Sequence, residues 1–382
     1  MKKFLSIVGV RPQFIKAATV CSAVERHNRA AAAVNQIQHE LLNTGQHYDF
    51  GMADVFFEQL SLPRPDYSLG VGSGLHGAQT AAMLDKIEPV LMKSRPDYVI
   101  VYGDTNSTLA GALAAAKLHI PVAHVESGLR SFNRRMPEEI NRIATDHISD
   151  VLFCPTHAAV EQLKKEGITE HVFFSGDVML DAVLEYSELA ERRSAILSSL
   201  DLKPRRYVLI TIHRAENTDS RERMSALVET LCAMNYPAVF AMHPRLRAKL
   251  DAEPAYRSFR DRLERATHLK VIHPVSYLDM LHLERNAVLV MTDSGGVQKE
   301  CYFVATPCLT LREETEWIET LTQGWNRVVG TEPARILPLV WSCDGAAPKE
   351  QPDLAVFGDG RAADAILNIL LEKDAVYACV QS

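Results

Sequence analysis

The chain carries no basic excess: 48 Asp and Glu outnumber 41 Lys and Arg, for a formal net charge of −7. As a whole it offers little to attract a nucleic-acid backbone, so no nucleic-acid partner is expected. A local cationic pocket for a phosphorylated small molecule remains compatible with that balance. There is no CxxC, and the seven cysteines (Cys21, Cys154, Cys232, Cys301, Cys308, Cys343 and Cys379) are scattered and odd in number. This argues against a disulfide framework or zinc site and for a reducing, cytoplasmic setting. No run reaches the roughly 18 apolar residues of a membrane span, so no membrane partner is expected. The opening MKKFLSIVGVRPQF starts like a signal peptide, but its apolar run stops at Arg11-Pro12 with no small-residue cleavage site. It reads as a first buried strand. Also missing are low-complexity segments, a GxGxxG dinucleotide fingerprint, an HExxH, and any Asp/His spacing typical of a metal site.

What is present is the composition of a soluble globular protein, 47% hydrophobic and 23% charged, in 382 residues, enough for two domains. Strand-like runs alternate with helical text: FLSIVGV (4–10), ELLNTG (40–45), PDYVIVYGD (96–104), PVAHVE (121–126) and DVLFCPT (150–156). A charged helical stretch follows, and then the alternation restarts with RYVLITIH (206–213), AVFAMHP (238–244), HLKVIHP (268–274), NAVLVMTDSGG (286–296) and TPCLTLRE (306–313). Apolar strands separated by helices imply parallel sheets covered on both faces. The expectation is an α/β protein of two Rossmann-like, doubly wound domains, 1–175 and 205–358, joined by a hinge helix over 176–204. A last helix at about 360–376 packs back on the first domain. In such sheets function sits beyond the carboxyl ends of the strands, which puts the expected active site in the interdomain cleft.

The chemistry-bearing clusters fall at strand ends. In GVRPQFIKA, Arg11 and Lys16 lie near a helix start whose free N–H groups favour an anion; the bland alternative is a helix start with surface bases. In TDSGGVQKE, Ser294, Gly295 and Gly296 open a helix after a strand, so backbone N–H groups and a hydroxyl can meet a phosphate. Glu300 there can accept from ribose hydroxyls. The alternative is a tight turn with an ordinary cap. His213 and the His243–Arg245 set end two neighbouring strands. Asp104 is either a functional carboxylate or the N-cap of the helix beginning near Thr105. Glu126 directly follows a buried strand, where a carboxylate must be paired, ligand-bound or shifted in pKa. Glu138 and Glu139 follow Pro137, and either can merely complement a helix N-terminus. Carboxylates and a histidine around a phosphate pocket suggest acid/base work on a nucleotide-linked substrate.

Taken together, GVRPQFIK, TGQHYD, YGDTNSTLAGALAA, HVESGLRS, MPEEINR, TIHRAEN, HPR, TDSGGVQKE, LREETEW and FGDGRAA resemble the non-hydrolysing UDP-N-acetylglucosamine 2-epimerase family, from residue 9 to 363. The resemblance implies a GT-B-like fold closing over a UDP-sugar. It implies inversion at C2 through elimination of UDP to a 2-acetamidoglucal and re-addition, with no cofactor and no metal. By motif, Asp104, Glu126 and Glu138 match the family's acidic catalytic positions and His213 its catalytic histidine. Glu138 is taken over Glu139 because it directly follows the proline. Arg11, Lys16, Ser294, Gly295, Gly296 and Glu300 match UDP contacts. Gln46, Arg214 and His243 lie in motifs that some bacterial members use for a regulatory UDP-sugar site. Family members are commonly dimers, so a homodimer is expected.

The chain also departs from the pattern. Typical members read RPE where this chain has Gln13, and carry Arg-Pro after the Thr-Glu pair where it has Trp317-Ile318. That removes an expected cation near the phosphates and leaves Arg312. RPQFIKA, RSFNRRMPEEINR, HRAENTD, GGVQKE and TEW look more like the branch acting on UDP-2,3-diacetamido-2,3-dideoxy-glucuronate, in O-antigen biosynthesis. Arg134 and Arg135 either meet that substrate's extra carboxylate or are solvated. Other classes that fit the fold are a GT-B glycosyltransferase and an inactive UDP-sugar-binding regulator.

Overall fold

A computed structural model describes residues 1–46, 59–60, 62–343, 348 and 350–380, the side chains of 373–380 excepted. His47, Tyr48 and Asp49 of the TGQHYD motif lie outside the described residues. The chain forms two compact units: Met1–Leu184 with Leu354–Ser382, and Glu185–Asp353. The helix Val178–Arg193 runs through that boundary.

Among the described residues the first unit holds seven strands, β1 (Lys2–Val8), β2 (Ile37–Asn43), β3 (Tyr67–Ser68), β4 (Tyr98–Tyr102), β5 (Val122–Val125), β6 (Val151–Cys154) and β7 (Val172–Phe174), in the order 3-2-1-4-5-6-7. The described pairings are all parallel. A parallel sheet is sealed on both faces, which explains why β4, YVIVY, and β5, VAHV, are buried at every position. Each such aliphatic side chain contributes roughly 1.5–3 kcal/mol by leaving water. The helix Asn106–Lys117 is rich in alanine because it lies close on the sheet; a Cβ on its Gly111 would come 2.9 Å from Ile7. The C-terminal helix Ala362–Val380 packs on Arg11–Ala30, with Arg26 paired to Asp364 at 2.8 Å.

The second unit repeats the plan with β8 (Val208–Thr211), β9 (Ala238–Ala241), β10 (Leu269–Ile272), β11 (Leu289–Thr292), β12 (Cys308–Thr310) and β13 (Asn326–Val328), ordered 10-9-8-11-12-13 and parallel. In both sheets the order reverses between the first strand and the fourth: β1 beside β4, β8 beside β11. Ligands of doubly wound sheets bind outside the carboxyl ends at that reversal. Among the described residues no helix is long and apolar enough to cross a membrane.

Candidate active site

At the reversal in the first unit, the ends of β1 and β4 are joined by one amide. Gln13, 1% exposed, accepts from the N–H groups of Gly9 (2.8 Å) and Val10 (3.3 Å). It donates toward the Tyr102 carbonyl (2.8 Å) and the Thr105 and Thr108 hydroxyls (both 2.9 Å). Gly9 has to be glycine, because a Cβ there would lie 2.1 Å from Ser107 Oγ and 2.2 Å from Thr44 Oγ1. Arg11 then occupies the first position of the helix Arg11–Ala30.

The carboxylate of Asp104 is not a helix cap. Thr105 caps the helix Asn106–Lys117, accepting from Thr108 N–H, and Asp104 instead pairs with Arg142. Glu126 pairs with Lys16, and both side chains are nearly buried at 10% and 8% exposure. Glu126 has φ 72°, a left-handed backbone that costs a non-glycine residue roughly 1 kcal/mol or more. Its turn is held from behind. His124, fully buried, donates from Nδ1 to Asp146 (2.7 Å) and from Nε2 to the Gly103 carbonyl (2.7 Å). Both partners are acceptors, so both ring nitrogens donate. Asp146 also accepts from Gly128 N–H (3.1 Å) and Arg130 (2.7 Å), and Arg130 pairs with Glu166. Burial by itself would raise the Asp146 carboxyl, but the hydrogen bond and charge of His124, with Arg130, hold it below the ordinary carboxylate value.

The Pro-Glu-Glu step divides sharply. Glu139, fully buried, accepts from Ser131 N–H (2.9 Å), Ser131 Oγ (3.0 Å) and Phe132 N–H (2.8 Å) and pairs with Arg142 at 3.0 Å. Glu138 is half-buried, and its side chain makes no hydrogen bond or ion pair among the described residues. Gln46 accepts from Ser107 N–H (3.0 Å) and Oγ (2.7 Å), which ties it to the start of the helix Asn106–Lys117.

At the reversal in the second unit, Asp293 plays the part Gln13 plays in the first. It is fully buried and accepts from the N–H groups of His213 (3.0 Å) and Arg214 (3.1 Å) and from Asn217 (3.0 Å), locking the end of β8 to the end of β11. The His213 side chain is 39% exposed, and its ring centroid lies 5.9 Å from that of His243. Ser294 stands at the N-cap of the helix Gly295–Phe303, yet its hydroxyl makes no cap hydrogen bond. The hydroxyl and the first N–H groups of the helix thus remain as donors for an anion. A Cβ on Gly295 would meet Glu316 Oε1 at 2.5 Å, so glycine is needed there for close approach of Glu316.

Two guanidiniums, Arg312 and Arg214, lie near Glu316 in this unit. Arg312 is 2% exposed and paired with Glu316 at 2.9 Å. Arg214, expected at a regulatory site, is the more exposed guanidinium; it donates to the Asp293 carbonyl (2.9 Å) and lies 3.8 Å from Glu316. Where typical members carry an arginine, Trp317 lies under Lys299, whose Nζ sits 3.8 Å from the ring centroid. Glu300 is buried beside Tyr277; burial, with Glu300 and Glu284 adding to it, pushes the Tyr277 hydroxyl well above its ordinary value.

Sequence reasoning did not single out Gln13, Asp293, His124, Asp146 or Arg142 as partners of the site. All but Asp146 sit within a quoted motif, but nothing in their spacing says which strand end they reach. No group of three or more His, Cys, Asp or Glu among the described residues is placed to hold a metal ion.

The profile of the UDP-N-acetylglucosamine 2-epimerase family matches residues 29–371. A UDP-N-acetylglucosamine 2-epimerase homolog of Methanococcus maripaludis is 47% identical, covering 96% of this chain and 99% of its own. The UDP-2,3-diacetamido-2,3-dideoxy-D-glucuronate 2-epimerase of Pseudomonas aeruginosa is 44% identical, with 96% and 99% covered. The crystal structure of Methanocaldococcus jannaschii UDP-GlcNAc 2-epimerase in complex with UDP-GlcNAc and UDP superposes with a TM-score of 0.86 at 40% identity, covering 97% of this chain and 100% of that one. With two parallel doubly wound units of this geometry and a family match over most of its length, the chain belongs to the UDP-N-acetylglucosamine 2-epimerase family, isomerases that act on nucleotide sugars.

Proposed function

We propose that the chain is a non-hydrolysing UDP-N-acetylglucosamine 2-epimerase, interconverting UDP-GlcNAc and UDP-ManNAc for surface-polysaccharide precursors. The observation that carries the reading is the pair of carboxylates at the ends of neighbouring strands β4 and β5, each bound to its own cation: Asp104 to Arg142, Glu126 to Lys16. Each carboxylate is held in place by its cation at a strand end, where a base has to stand. In the reaction one carboxylate takes the C2 proton as the C1–O bond breaks and UDP departs with the bonding electrons, leaving a 2-acetamidoglucal. UDP then adds back at C1 and a proton is delivered to C2 from the other face. Glu138 is the third carboxylate of this set and His213 its histidine. The C2 hydrogen is weakly acidic, so stabilising the departing pyrophosphate carries much of the barrier. Arg11 in the first unit and the Ser294–Gly296 helix start in the second are the groups we assign to it. Glu300 is assigned to the ribose.

Incubation with UDP-GlcNAc alone in deuterated water tests the reading. Epimer with deuterium at C2 supports it; absence of C2 exchange with every UDP-sugar offered refutes it and favours a glycosyltransferase or a binding protein. A second reading is favoured by the Pseudomonas aeruginosa relative and by Arg134 and Arg135, exposed and making no ion pair among the described residues. It makes the substrate UDP-2,3-diacetamido-2,3-dideoxy-glucuronate, whose carboxylate these arginines would meet. A side-by-side assay of the two sugars decides between them. A regulatory role for Gln46, Arg214 and His243 predicts activation of UDP-ManNAc turnover by added UDP-GlcNAc. We carry forward a cytoplasmic homodimer, checked by light scattering and cell fractionation.

A further inference from the structure

We infer that Arg142 is a positioning residue of the reaction, orienting Asp104 and tying it through Glu139 to the Ser131–Phe132 turn. The inference rests on the reading of Asp104 as a catalytic carboxylate. Arg142 lies on the helix Pro137–Ile148 one turn after Glu139, and its side chain is 3% exposed. One arm, Nη2, binds Asp104, and the other, Nη1, binds Glu139 at 3.0 Å. The neighbouring Asn141 adds a second tie from the same helix, donating to the Asp104 carbonyl (3.0 Å) and to Asn106 Oδ1 (3.1 Å).

Burial across this triad is uneven, and that separates positioning from plain stabilisation. Arg142 and Glu139 are sealed at 3% and 1% side-chain exposure, while Asp104 remains 29% exposed. A buried guanidinium costs desolvation energy, and an ion pair open to water on one side returns little of it. What the arrangement does secure is direction. A planar fork held rigidly by one buried carboxylate fixes the orientation of a second, accessible one. Glu139 supplies that rigidity, and with its remaining lone pairs it holds the Ser131–Phe132 backbone. That turn is strained: Phe132 has φ 60°, with its ring 74% exposed. The same helix start carries Glu138, so one guanidinium also sets Asp104 against the helix that presents the third carboxylate.

The test is a double-mutant cycle in the full chain, with kcat, KM and C2 deuterium exchange measured on whichever of UDP-GlcNAc and UDP-2,3-diacetamidoglucuronate turns over. Arg142→Met is expected to lose about 100-fold in kcat, the scale of a misplaced catalytic group, with KM changed less than about threefold. Arg142→Lys keeps the charge but not the fork and is expected to recover only part of the loss. Adding Arg142→Met to Asp104→Asn is expected to cost nothing further, because Arg142 acts through Asp104. If the two losses multiply, or Arg142→Met alters only KM or thermal stability, the inference is wrong. Should Arg142→Met not fold, the cycle with Arg142→Lys reads the same coupling. Full turnover of Asp104→Asn alone instead overturns the catalytic reading of Asp104, a distinguishable failure.

Discussion

Replacing Gln13 by glutamate probes the joint between β1 and β4 with one atom. In the parent the Gln13 amino group donates toward the Tyr102 carbonyl at 2.8 Å and toward two threonine hydroxyls. A carboxylate puts an acceptor where the amino group was, facing that carbonyl. The Thr105 and Thr108 hydroxyls can turn to donate to it, but Thr108 Oγ1 already donates to the Tyr102 carbonyl at 2.7 Å and would have to withdraw. The carbonyl then loses both side-chain donors. A buried acceptor left unmet costs about 1–3 kcal/mol, and a charge at a site 1% exposed adds to it, offset in part by the Gly9 and Val10 N–H groups. We expect Gln13→Glu to destabilise the first unit by about 2–4 kcal/mol at pH 8, a fall in Tm of roughly 5–15 °C. A proton restores a donor toward Tyr102, so the folded pKa of the new glutamate lies above its unfolded value. The stability it contributes is present below the unfolded pKa and lost as pH rises through the folded one. The assay is thermal and urea unfolding of both proteins at pH 5 and pH 8. A difference under about 0.5 kcal/mol at pH 8, or one independent of pH, refutes the argument.

Other expectations follow from the same contacts. Glu126→Gln should reduce C2 exchange by about 100- to 10,000-fold, the usual range for a lost general base, with little change in UDP affinity by calorimetry. Lys16→Met leaves the nearly buried Glu126 without its cation, so turnover in the C2-exchange assay should fall. Asp181 accepts from Ala362 and Ala363 N–H at the start of the C-terminal helix, and burial raises its pKa from 3.8 to about 6. Its contribution is present below pH 3.8 and lost as pH rises through about 6, so the Tm of Asp181→Asn relative to the parent should climb between pH 4 and 7.

Much of the architecture was legible because parallel strands buried on both faces advertise themselves. All ten runs read from the sequence correspond to strands, while β3, β7 and β13 were missed. Those three lie at sheet edges and span two or three residues, too short for any periodic signal. At the strand ends, the residue types that can do acid/base and phosphate chemistry were equally plain, as was the family they resemble.

The sequence by itself determined two doubly wound units and brought Asp104, Glu126, His213 and Ser294 to the carboxyl ends of strands, since those follow from local hydrophobic pattern and chain order. It chose Glu138 over Glu139 only through the family resemblance, and it left open whether Asp104 caps a helix and which cation serves which anion. Only the tertiary structure decided those: Thr105 takes the cap, Glu139 is buried while Glu138 stays accessible, Lys16 goes to Glu126, and Arg312 is spent on Glu316. Side-chain partnerships at a sheet's reversal point join residues far apart in the chain, such as Gln13 with Tyr102 and His213 with Asp293. Chain order carries no record of such contacts; they exist only once distant strands lie side by side.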